Sequence, residues 1–225
     1  AEIPEEQVEA DKQSAREFNQ FREDLFSVGT LGAINFVVKG MGELPGRKSI
    51  MLFSDGFAIC TPDNPDRCAR VMESLRQLTD LCNRASVTIY TQDARGLAFT
   101  GITAADRVLN TPGAIQDALS SRSAELFDKQ DGLAYLANET GGKAVFNNNN
   151  LNKGLEVLLE DTKGYYLIGY QPESDTFDAA TRRFNKLTVK LNRKDLNVRY
   201  RSGFFGVADE NIQRPAVETK TPYQQ

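Results

Sequence analysis

The sequence predicts an α/β fold, a mostly parallel sheet followed by an antiparallel β extension, and three observations carry that expectation. Two short runs, residues 49–53 (Ser-Ile-Met-Leu-Phe) and 87–90 (Val-Thr-Ile-Tyr), are apolar or β-branched, as strands buried in a parallel sheet are. Between them Cys68, Val71, Leu75, Leu78, Cys82 and Ala85 recur at spacings of three and four, the stripe of a core-facing helix. Strand, helix and strand in that order are the signature of a right-handed βαβ unit. After Gly164 the helical spacing ceases, and Leu187, Val189 and Leu191 alternate with Lys186, Thr188 and Lys190, one dry face against one wet face.

The elements follow in order. Residues 1–28 form a polar N-terminal segment in which Ala15, Phe18, Phe21 and Leu25 recur at helical spacing, predicting a helix over 4–26. A main domain spans 29–163. It opens with a helix over 30–42 whose apolar stripe is Ala33, Ile34, Val37, Val38 and Met41, closed by Gly42. Pro45-Gly46 turns into the strand at 49–53, which ends in Ser54-Asp55-Gly56. A Pro/Asp/Asn-rich loop covers 61–66, and the second strand ends in Thr91-Gln92-Asp93. Residues 94–124 read as loop with a short helix at 114–119. A separate helix carries Leu133, Leu136 and Ala137 and stops at Gly141-Gly142. A third strand is expected at 143–146, and Asn147–Asn150 cap a helix over 151–162. The extension occupies 164–206, with strands at 165–170, 184–191 and 197–201. Residues 207–225 form an extended tail.

Composition excludes several functions. A net charge of −4 over 225 residues argues against a general electrostatic grip on nucleic acid. No apolar run has the roughly 18–20 residues of a membrane helix. Residues 1–10 are acidic and lack the layout of a signal peptide, so either the chain is not exported or its signal was removed before this numbering begins. Without His, every His-based triad and His metal ligand is excluded, and three Cys alone argue against structural zinc. An odd Cys count leaves at least one thiol free or paired with another chain.

Five stretches in order resemble the von Willebrand factor type A (VWA)-related domain abundant in Acidobacteria: PGRKSIMLFSDG (45–56), IYTQDARGL (89–97), LANETGG (136–142), YYLIGYQP (165–172) and VRYRSGFFG (198–206). The resemblance covers about residues 28–206 and implies a Rossmann-like fold, an exported protein of the periplasm or cell surface, and binding to a protein partner rather than catalysis. VWA domains hold a divalent cation at the carboxyl ends of their strands, through Asp-x-Ser-x-Ser on the first strand, a Thr on a later loop and an Asp at the fourth strand. Mg²⁺ suits such hydroxyl and carboxylate oxygens. Asp55 stands where the late Asp belongs and Thr30 where the loop Thr belongs. The first-strand motif does not occur: Ser121-Arg122-Ser123 has the Ser spacing but Leu119 in place of the Asp. The chain therefore resembles the second half of the domain, and Asp55 and Thr30 become metal ligands only if an upstream segment supplies the motif. Otherwise no cofactor is expected. In the usual strand order the first strand pairs with the fourth, so here the strand at 49–53 is expected to present a bare apolar edge that something must cover.

Each candidate has a second reading. Asp55 is a metal or partner ligand, or a strand-end turn residue. Thr30 is a ligand or a helix N-cap. Asp93 and Arg95 contact a partner at the strand-end crevice, or pair with each other. Cys60 and Cys68 flank a short loop and form a disulfide in an exported protein, or Cys68 is a small core residue. The basic run between Arg182 and Arg201, with Asp195 its one acid, docks an acidic partner or lipid headgroups, or is a hairpin's solvated face. Function divides three ways: a non-enzymatic interaction or assembly module, a structural subunit of a larger complex, or an Asp-based phosphoacceptor in which Asp93 assists Asp55.

Overall fold

The computed structural model describes residues 29–60, 65–103, 112–166, 168–169, 184–193, 195–196 and 198–205. The expected helix at 4–26, the loop at 61–64 and the tail lie outside these residues; of the strands expected at 165–170 and 197–201, the described residues 165, 166, 168, 169 and 198–201 are in no strand, Tyr166 and Ile168 being exposed with no sheet to face. Four helices and two sheets are described. Helix α1 covers residues 29–41, β1 Lys48–Ser54, α2 Pro65–Arg84, β2 Val87–Asp93, α3 Pro112–Glu139, β3 Ala144–Val145 and α4 Asn152–Thr162. Strands β4 (Phe184–Lys186) and β5 (Gly203–Phe205) form a separate pair. The first sheet has the order β1-β2-β3, all parallel, with Lys48 opposite Val87 and Ser54 opposite Asp93. It is a mixed α/β architecture compatible with a Rossmann-like fold.

The alternation of side chains along β2 divides the molecule into layers. Val87 and Ile89 face one side, where Leu31, Ile34 and Val38 of α1, Val71, Leu75, Leu78 and Cys82 of α2, and Leu133 and Leu136 of α3 make one core with Phe57. Ile50 and Leu52 of β1 pack against the same core. Each fully buried Leu or Ile there contributes roughly 1.5–3 kcal/mol. Gln92 faces the other side, where α4 lies close enough that a β-carbon on Gly154 would strike Met51 and Gln92. Three helices thus cover one face, and α4 is the described helix on the other.

All seven residues of β2 are buried, as its central place requires. Strand β1 is mostly half-buried, and Phe53 is 42% exposed. The apolar run predicted a buried strand, whereas β1 is only half-buried; its place at an edge is the one expected, with β2 on one side and, among the described residues, no strand on the other.

Several further expectations are corrected. The α1 stripe is Leu31, Ile34 and Val38, with Ala33 and Val37 outside it, because i, i+3, i+7 spacing from Leu31 aims those two residues outward. Gly29 is already helical, so Thr30 lies inside α1 and is not its N-cap. The two helices expected at 114–119 and around 133–137 are one helix of 28 residues, since neither Gly nor Pro interrupts residues 114–131. The cap residue of α4 is Leu151, while the Asn150 carboxamide oxygen accepts the Asn152 N–H at 3.0 Å. The antiparallel extension exists, with Phe184 opposite Phe205, but it is shorter than predicted. Val189 and Leu191 lie beyond it and are exposed, so their alternation faces no partner among the described residues.

Where β3 is too short to reach the lower half of β2, a side chain replaces it. Thr140 is fully buried; its hydroxyl accepts the Ile89 N–H at 2.9 Å and donates to Leu136 O at 2.8 Å. Gly142 follows, at a point where any β-carbon would collide with the Ile89 carbonyl. Thr140→Val keeps the shape and orphans the Ile89 N–H, so urea unfolding is expected to show a loss of about 1–3 kcal/mol. Thr140→Ser, which keeps the hydroxyl, is expected to lose clearly less.

Candidate functional site at the carboxyl ends of the parallel strands

In an open α/β sheet the carboxyl ends of the strands, with the loops that follow, form the usual binding crevice. Here these loops begin at Asp55, Ala94 and Phe146. They are tied together by backbone and amide hydrogen bonds: Ala94 N–H donates to Ser54 O at 2.9 Å, and Leu97 N–H to the Asn149 carboxamide oxygen at 2.7 Å.

Asp55 stands on the bend after β1, exposed, with no hydrogen bond or ion pair among the described residues. Immediately after it the chain dives inward. Gly56 has φ of 89° and lies so close to Lys129 O that a side chain would not fit. Gly56 N–H donates to the Ser54 hydroxyl at 3.1 Å, and Phe57 N–H to Lys129 O at 3.1 Å. Gly56 thereby leaves the Asp55 carboxylate at the surface while Phe57 enters the core.

Asp93 is only 1% exposed, and both of its oxygens are engaged. Arg95 binds it through the backbone N–H at 3.0 Å, Nε at 2.9 Å and Nη2 at 2.8 Å, and Gln130 Nε2 donates at 3.0 Å. Burial works to raise this carboxyl, but the hydrogen bonds from Arg95 and Gln130, with the Arg95 charge, outweigh it and hold the group below the usual carboxylate range. The structure thus brings Asp93 and Arg95 together and withdraws Asp93 from any partner. Arg95, with its side chain 27% exposed, is what the pair presents outward.

Thr30 sits half-buried in α1 and makes no hydrogen bond to Asp55. One carboxylate and one hydroxyl fall short of the near-octahedral oxygen set that Mg²⁺ demands. Among the described residues no group of three or more Cys, Asp or Glu is placed to hold a metal. These residues alone do not fit the cation.

Two features had no signal in the pattern reading. Leu97 is 68% and Phe99 75% exposed, on the loop that follows β2. Gln130, one polar residue on a long helix, proves to be the buried second donor to Asp93. Cys60 and Cys68 are joined in a disulfide, with Cα atoms 4.4 Å apart, fastening the β1–α2 loop to the first turn of α2. Cys82 is buried, and burial pushes its thiol up to about 12, so it is no nucleophile at neutral pH. No described helix is long and apolar enough to cross a membrane. Compared with protein families, curated proteins and solved structures, the chain finds no match in any of the three.

The folded Asp93 carboxyl titrates below its unfolded value of about 3.9. Its contribution to stability is therefore complete above that unfolded pKa and is lost as pH falls through the folded one. Asp93→Asn is expected to lower stability at neutral pH and to flatten the fall in stability below about pH 4, read by urea unfolding across pH. Reduction of Cys60–Cys68, or Cys60→Ser/Cys68→Ser, is expected to cost roughly 2–3 kcal/mol, read the same way.

Proposed function

We propose that this chain is a non-enzymatic interaction module resembling the second half of a VWA domain, carried by an exported bacterial protein, and that it binds a protein partner through its strand-end loops. The supporting observation is the surface at those ends. Leu97 and Phe99 project from the loop after β2, which also carries Arg95 and is tied back to Ser54 beside Asp55. Large apolar side chains ringed by charge, exposed at the carboxyl ends of a sheet, are the ingredients of a partner-binding patch. The Cys60–Cys68 disulfide supports an exported setting, since disulfides persist in oxidising compartments.

The order β1-β2-β3 in parallel agrees with the last three strands of a VWA sheet. A bound Mg²⁺ enters this reading only if an upstream segment supplies the missing Asp-x-Ser-x-Ser oxygens. The engagement of Asp93 by Arg95 and Gln130 weighs against a phosphoacceptor, which needs a second free acid beside Asp55. The half-buried edge of β1, with Phe53 exposed, favours a second reading: a subunit that completes its sheet against another segment or chain.

A photo-crosslinking residue at position 97 or 99, in the protein at its native location, is expected to capture one and the same polypeptide, whereas one at Glu125 on α3 is not. Leu97→Ser/Phe99→Ser is expected to weaken that complex by about 2 kcal/mol or more. Capture from β1 position 53 but not from 97 or 99 would move the interface to the sheet edge. A mass gain at Asp55 on exposure to acetyl phosphate would support the phosphoacceptor instead.

A further inference from the structure

Helix α1 presses Leu31, Ile34 and Val38 into the core, and what it turns outward is not the charged face of a surface helix. Between residues 29 and 41 its exposed positions are Gly29, Gly32, Ala33, Phe36, Val37 and Gly40, with Lys39 the one charge. Phe36 is 79% and Val37 48% exposed. By contrast α2 exposes Arg70, Glu73, Arg76 and Gln77. At about 100° per residue, the six uncharged positions of α1 fall within an arc of about 140° opposite the buried stripe, and Lys39 stands at its rim. Beyond the helix's own backbone, no described residue comes within 4 Å of where a β-carbon on Gly29, Gly32 or Gly40 would stand. These glycines are open gaps beside two protruding apolar side chains.

The spacing of gaps and protrusions is self-complementary. Two copies of α1 laid antiparallel and face to face, about a two-fold axis between residues 34 and 35, bring Phe36 level with the second copy's Ala33. Val37 then comes level with the second copy's Gly32, and Gly40 with its Gly29. Large side chains share their levels with small ones, and paired glycines at both ends permit close approach, which is how facing helices interdigitate. The two Lys39 side chains stay about 13 Å apart along the axis, at the wet rim. A parallel pairing would set Phe36 on Phe36 and leave Gly facing Gly, so the rings would hold the helices apart where the gaps need filling. An isologous contact requires one patch to match itself, and this one does.

We infer that the outer face of α1 is a homodimer interface, at which two copies of this chain pair antiparallel around Ala33 and Phe36. A helix over 29–41 is about 20 Å long, and a contact of that length falls short of the roughly 800 Å² per partner of a standard stable interface. The dimer is therefore reversible, with dissociation on the order of micromolar or weaker. The face is separate from the strand-end loops, and the inference stands independently of the partner proposed for them.

The test is sedimentation velocity of the full chain from the low to the high micromolar range, where a monomer–dimer equilibrium is expected. Gly32→Leu places a side chain where the chain itself leaves space, and Leu favours helix over Gly, so the monomer keeps its fold. It fills the level that the second copy's Val37 needs, and is expected to raise the dimer dissociation constant about tenfold or more, as is Phe36→Ser. The register is read by disulfide formation: Gly29→Cys and Gly40→Cys are expected to crosslink when mixed, and neither when alone. A chain that stays monomeric throughout, or a dimer unmoved by Gly32→Leu and Phe36→Ser, would overturn the interface. Loss of monomer thermal stability in both variants, with no change in association, would overturn it too, by showing that residues 1–28 of the same chain cover the face.

Discussion

A strand buried at all seven positions, yet carrying Thr88, Thr91, Gln92 and Asp93, sets the terms for the rest of the structure. Each of these groups forfeits its water on folding and must find a partner inside, at a penalty of about 1–3 kcal/mol for any that does not. The partners come from separate elements. Thr91 donates to Leu133 O of α3, Asp93 draws in Gln130 of α3 and Arg95 of the loop, and Thr88 and Tyr90 receive Arg47. Gln92 donates to Asn150 O and accepts the Gly154 N–H, fastening α4 to the face away from the main core. The hydrophobic core supplies the gross stabilisation; these pairings determine how each element is aligned on β2.

That arrangement bears directly on the surface left for function. Asp93 is consumed in alignment and Asp55 is not, because Gly56 turns the chain inward immediately after it. The strand-end loops are therefore rigidly tethered at their bases through Ser54, Asp93 and Asn149, while Leu97 and Phe99 project from them. A preorganised base with apolar tips loses less conformational entropy on binding than a free loop would.

The strands and helices that run on local pattern were legible in the sequence. β1, α2 and β2 follow from apolar runs and three-four spacing, and the strand ends at Asp55 and Asp93 follow with them. Thr140, Gln92 and Gln130 were not legible, because a single polar residue with a partner dozens of positions away has no period. Arg47 and Arg201 share that property: one reaches Tyr90 and the other Asn83, at sequence separations of 43 and 118. α3 reads as two helices in the sequence because residues 120–131 hold few apolar side chains and no sustained stripe, yet nothing in them stops a helix that continues through to Glu139. The alternation at 187–191 over-predicted strand because period two marks only residues that have a sheet to face, and Val189 and Leu191 have none among the described residues.

The measurement that tests the role of β2 most directly is hydrogen exchange on Gln92→Leu, a change that keeps the bulk and removes both amide contacts. Faster exchange confined to α4, centred on Gly154, with β1, β2 and α3 still protected, is the result that side-chain anchoring predicts. Unchanged protection of α4, or uniform loss of protection across the sheet, would contradict it.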